Sequence, residues 1–144
     1  MNATQAIPRR WNVDIDGIKW LPRLIDKSRM RESGKLGSYL VGHSPVDYAF
    51  LKKAGIGTDE FVALAVREDS DAGVLTALRA RGFDESKVRA WSDRFETTYK
   101  VYISLWDVDE GYRPPSPIEK LVIPVVRRIE GPLMNVVRLV RPKP

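Results

Sequence analysis

The stretch LVGHSPVDYAFLKKAGI (residues 40–56) contains the only histidine of the chain, His43, close to Asp47 and Tyr48. It reads either as a working site or as the start of a helix. Ser44 suits the N-cap, Pro45 the first helical position and Asp47 the third, a capping box with Asp in place of the usual Glu or Gln. His43 and Tyr48 then take the two positions that touch in a hydrophobic staple. Gly55 followed by Ile56 predicts a Schellman ending, with Ile56 reaching back to Leu51. Each of the three residues thus has a structural job. The charge of Asp47 also works against a phosphate at this helix start.

Outward from this helix the punctuation stays dense. In WLPRLIDKSRMRESG (20–34), Pro22 suits a first helical position, Leu21, Leu24, Ile25 and Ser28 share a face, and Gly34 closes the segment. GKLGSYLVG (34–42) reads as a looped or extended connector with room for a short strand. Thr58 is placed to cap a helix carrying Phe61, Leu64 and Ala65 inward. Asp69-Ser70-Asp71 begins another with Val74, Leu75 and Leu78 inward, ended by Gly82 with Phe83 folding back. From Asp84, the residues Val88, Trp91, Phe95, Tyr99, Tyr102 and Trp106 recur at spacings of three and four, predicting one helix of about 22 residues. DVDEGYRPPSP (107–117) breaks it. Ser116-Pro117-Ile118-Glu119 is a full capping box. Ile118, Leu121, Val122, Val125 and Ile129 keep a helical period that Pro124 should kink or end. Leu133, Val136, Val137 and Val140 resume it, with a β-hairpin as the alternative for so valine-rich a tail.

The fold expected is mainly α: a small helical bundle with a short glycine-rich connector and a basic C-terminal extension. Its divisions are an N-terminal arm (1–16), a helical domain (17–113) and a basic apolar extension (114–144). Apolar content of 43% with 30% charged residues is that of a soluble globular protein. With no apolar leader at the N-terminus and no membrane-length apolar run, the expectation is a cytoplasmic protein. The net charge of +5 is unevenly spread. From Ile118 onward six basic residues face two acidic ones, a net of +4.

The segments WLPRLIDKSR (20–29), GKLGSY (34–39), GHSPVDYAFLKKAGI (42–56), DEFVALAVREDSDAGVL (59–75) and RAWSDRF (89–95) together resemble a known family. It is the domain of unknown function 5069, found in small, mostly helical bacterial proteins. The resemblance covers roughly residues 17–112, and the tail from Pro114 lies outside it. It implies a helical fold and brings no activity, cofactor or residue role with it.

Chemistry has few footholds. Absence of cysteine excludes disulfides, thiolate catalysis and Cys-ligated zinc. One histidine leaves no metal set, and DVDEG (107–111) lacks the length of a calcium loop, so no metal and no cofactor is expected. No G-x-S-x-G elbow, phosphate loop or dinucleotide fingerprint occurs, and an enzyme has little support. One polar group stands out. Arg23 and Lys27 share a helix face beside Asp26, and with Tyr39, His43 and Asp47 they would line a small pocket if the connector folds back. The plainer reading is a salt-bridged surface face plus the staple.

The leading function is therefore a non-enzymatic helical interaction module whose C-terminal extension docks on a protein partner or forms a homo-oligomer. The alternative is nucleic-acid binding through Arg127, Arg128, Arg138, Arg141 and Lys143. Helices near 59–68 and 72–81 resemble a helix-turn-helix, but Ala72, Gly73 and Val74 make a poor recognition surface. A small-molecule enzyme built around Lys27 and His43 ranks third.

Overall fold

The computed structural model describes residues 6–125, which are mainly helical. The readings of Arg127, Arg128, Ile129, Leu133, Val136, Val137, Arg138, Val140, Arg141 and Lys143 lie outside the described residues. Two compact units part between Arg94 and Phe95.

The first unit opens with a feature the sequence reading passed over. Strands β1 (Asp14–Ile15) and β2 (Ile18–Lys19) pair antiparallel, with Asp14 opposite Lys19 and Ile15 opposite Ile18. The two-residue turn between them, Asp16-Gly17, holds φ at 53° and 79°. That double positive φ is what a primed hairpin turn demands, and Asp-Gly is its usual sequence. The hairpin is fastened from several sides. The Lys19 N–H donates to Ser92 Oγ at 2.8 Å, and Arg89 donates to the Asp16 carbonyl at 2.8 Å.

Five helices complete this unit: α1 (Leu21–Glu32), α2 (Pro45–Ala54), α3 (Thr58–Arg67), α4 (Asp71–Ala80) and α5 (Glu85–Asp93). Helix α1 packs on α3, and α2 packs on α5. Phe50 ties the layers together, meeting Phe61 and Trp91 edge to face at centroid distances of 6.3 and 5.6 Å. Leu21, Leu24, Ile25 and Ser28 are all buried, as the period of α1 requires. Pro22 sits one place later than expected, because Trp20 is the N-cap. The connector 34–42 contains loops and turns and no strand.

The Ser44 cap and the C-terminal end of α2 form as read: Ser44 Oγ accepts from the Asp47 N–H, and the N–H groups of Gly55 and Ile56 both donate to the Leu51 carbonyl. Thr58 is a correction. Gly57 is the N-cap of α3, and Thr58 lies within the helix, buried. It is packed beneath Gly42, where a Cβ would fall 2.3 Å from its hydroxyl oxygen. Gly42 also holds φ +82°, so both crowding and backbone demand glycine there. Arg29 caps the far end of α3 by donating to the carbonyls of Ala65 and Glu68 at 3.0 and 2.8 Å.

The expected 22-residue helix is the main correction. It is broken into α5, α6 (Phe95–Thr98) and α7 (Lys100–Asp109), with Arg94 at φ −99° and Tyr99 at φ −109° interrupting it. Neither glycine nor proline stands at either break. The spacing of apolar residues specified which side is apolar, but not that the helix is continuous.

The second unit contains α6, α7 and α8 (117–125, as far as the described chain runs). Rings of Phe95, Tyr99, Tyr102 and Trp106 follow one another at 4.8, 6.4 and 5.8 Å, the last pair stacked. Arg113 closes the turn before α8, donating to the Ser104 carbonyl and to both oxygens of Glu119. The capping box is complete: Glu119 N–H donates to Ser116 Oγ at 3.2 Å, and Ser116 N–H donates to Glu119 at 2.7 Å. Pro124 and Val125 still belong to α8, and the described residues end there, so most of the chain on which Pro124 was expected to kink or end the helix lies outside them.

Candidate functional site

Four of the six candidate pocket residues lie around the start of α1. Trp20, Arg23 and Lys27 fall at i, i+3 and i+7 and therefore share one face. Arg23 and Lys27 both lie over the Trp20 indole, at 5.3 and 5.1 Å from its centroid, and Arg23 lies also over Tyr39 at 5.6 Å. The expected salt-bridged surface face is thus corrected: both cations are buried. Their stems pack on aromatic rings, and each charge also has a hydrogen-bond acceptor, the Asp47 carboxylate for Lys27 and the Arg9 carbonyl for Arg23.

Asp47 is the hub. Its side chain does not close the box with Ser44. It reaches Lys27 Nζ with both oxygens, at 2.7 and 2.6 Å. Oδ1 also accepts from Trp20 Nε1 at 2.8 Å, and Oδ2 from the Gly42 N–H at 3.1 Å. The Lys27 and Asp47 side chains are only 4% and 0% exposed. Three donor groups make four hydrogen bonds to this carboxylate, about as many as its lone pairs accept. Chemically the group is a clamp holding the starts of α1 and α2 and the Gly42 turn together.

Trp20 has a cost of its own. A bulky residue at φ +73° is a backbone outlier, worth of order 1–3 kcal/mol of strain. The indole hydrogen bond to Asp47 and the two cations over its ring hold it there.

Asp26 turns away from this group. Its carboxylate accepts from the backbone and guanidinium of Arg9, at 2.7 to 2.9 Å. Arg9 also binds Asp71 at the start of α4. That guanidinium is the first cause holding the Asp71 carboxyl below its ordinary range. The Arg9 carbonyl in turn accepts from Arg23 at 3.0 Å. His43 and Tyr48 are half-buried at the mouth of α2, and Lys52 lies over the Tyr48 ring.

Sequence reasoning brought Lys27 and Asp47 into one group but missed Trp20, Gly42 and Arg9. The i, i+3, i+7 spacing from Trp20 to Lys27 was the available signal for the first. Nothing local marks the other two. Among the described residues no cluster of three or more His, Asp or Glu could hold a metal ion. No helix among them is long and apolar enough to cross a membrane.

A family model described as a domain of unknown function (DUF5069) matches residues 5–112. The chain belongs to the DUF5069 family. The match begins well before α1, so the hairpin and the Arg9 segment belong to the DUF5069 domain together with the helices. It ends at Tyr112, short of α8. No curated protein and no solved structure matches the chain.

Proposed function

We propose that the protein is a non-enzymatic interaction module: a DUF5069 helical domain carrying a C-terminal segment that docks on a protein surface. The observation that carries this reading is the outer face of α8. Ile118, Leu121, Val122 and Val125 fall at i, i+3, i+4 and i+7, and they are 74%, 77%, 46% and 55% exposed. On the same helix Ile123 is buried. A helix apolar on both sides is one built to be covered on both sides. The clamp around Asp47 adds to the non-enzymatic side of the reading, since its polar groups are spent on one another.

Comparing the full chain with one ending at residue 113 tests the proposal. The full chain is expected to run as an assembly, or as a monomer that binds a hydrophobic dye at a surface the short chain lacks. Equal behaviour of the two in mass, dye binding and melting temperature would overturn it.

A second reading rests on charge. Residues 126–144 carry five basic and one acidic residue, which suits phosphate backbones contacted without sequence preference. Under that reading affinity for duplex DNA falls steeply between 50 and 200 mM salt, roughly in proportion to the number of phosphates neutralised.

A further inference from the structure

Resting on the docking reading above, we infer that the partner of this surface is a second copy of the chain, paired through the hairpin of α7 and α8. Exposed apolar side chains concentrate on this hairpin: Val101 and Tyr102 on α7, and Ile118, Leu121, Val122 and Val125 on α8. The first unit, nearly three times as long among the described residues, exposes three large apolar residues, Ile7, Val13 and Val66, scattered along it. A stable association buries roughly 800 Å² on each partner, more than the nine described residues of α8, about 13 Å of helix, supply. The two helices together come closer to that area. Arg113, bound to Ser104 on one side and Glu119 on the other, presents them as one preformed hairpin.

Two such hairpins packed about a two-fold axis make a four-helix bundle. That is the common way for a helical hairpin with an uncovered apolar side to complete a core, and the two-fold axis sets the same residues against each other. Charge favours the same partner. Residues 100–125, the hairpin with its turn, carry four acidic and three basic side chains, a net of −1, and the 19 residues that follow carry +4. Each copy thus offers an acidic hairpin and a basic continuation, and the two attract across a pair of chains.

Sedimentation of the full-length protein over a range of concentrations tests this, alongside the double variant Leu121→Glu/Val125→Glu and the separate variant Val101→Lys on the other helix. The 16.4 kDa chain is expected to run at twice its mass. Both variants should run at single mass with unchanged helical circular dichroism. A monomeric wild type whose melting temperature falls in the variants overturns both the second copy and the docking reading, because the face is then covered within one chain. A monomeric wild type with unchanged melting temperature, whose dye binding is lost in the variants, overturns the second copy alone and leaves docking on another protein. A dimer that both variants leave intact places the contact elsewhere and overturns the inference.

Discussion

At the scale of single residues, the Lys27–Asp47 pair is an ion pair enclosed on both sides, its side chains 4% and 0% exposed. A buried pair adds little net stability over an apolar pair of equal volume, yet losing one partner strands the other charge. Lys27→Met is therefore expected to lower stability to urea by about 3–5 kcal/mol. Trp20→Phe, which deletes one donor to the carboxylate, should cost less, about 1.5–3 kcal/mol. Equal losses in the two variants would show that the clamp is not organised around Asp47. Gly42→Ala forces a methyl into Thr58 and a side chain into positive φ, so it should destabilise by well over 1 kcal/mol. Wild-type stability in that variant would disprove the close approach. The presence of Asp47 at the start of α2 was legible from Ser44 and Pro45. Its bond to Lys27 was not, because a contact between residues 20 apart depends on how two helices cross.

At the scale of elements, most side-chain caps were readable from local signals, Thr58 being the exception. Ser44, Ser70, Asp84 and Ser116 each accept the backbone hydrogen bond their position implies. Asp16-Gly17 was equally local, yet the strands it joins are two residues each, too short for an alternating pattern to register. The breaks at Arg94 and Tyr99 were illegible for the opposite reason: the ring spacing runs through both without a fault.

The α8 cap yields a pH prediction. Bonding to Arg113 first, and then to the Ser116 N–H, pushes the Glu119 carboxyl from 4.5 down to about 2. Its contribution to α8 is complete above about pH 4.5 and is lost as the pH falls through about 2. A carbon-detected NMR titration should give a midpoint near 2 for Glu119, and Arg113→Gln should raise it. A midpoint at the ordinary glutamate value would refute the cap. Glu85 on α5, held down to about 2 by Arg79 and then Arg89, should titrate in the same range.

At the scale of the whole molecule, self-association makes stability depend on concentration, since a partner that binds only the folded chain stabilises it by mass action. The melting temperature of the full chain should rise on going from micromolar to hundreds of micromolar protein. That of the chain ending at residue 113 should stay constant. A rise in both, or in neither, contradicts pairing through α8.

The hydrogen bond from Lys19 to Ser92 has a temporal side. These partners lie 73 positions apart, so a ribosome adding about 5–20 residues per second releases the second some 4 to 15 seconds after the first. Throughout that interval the nascent hairpin waits without this fastening, and the segment that turns it into α1 is synthesised well before the helix that will hold it.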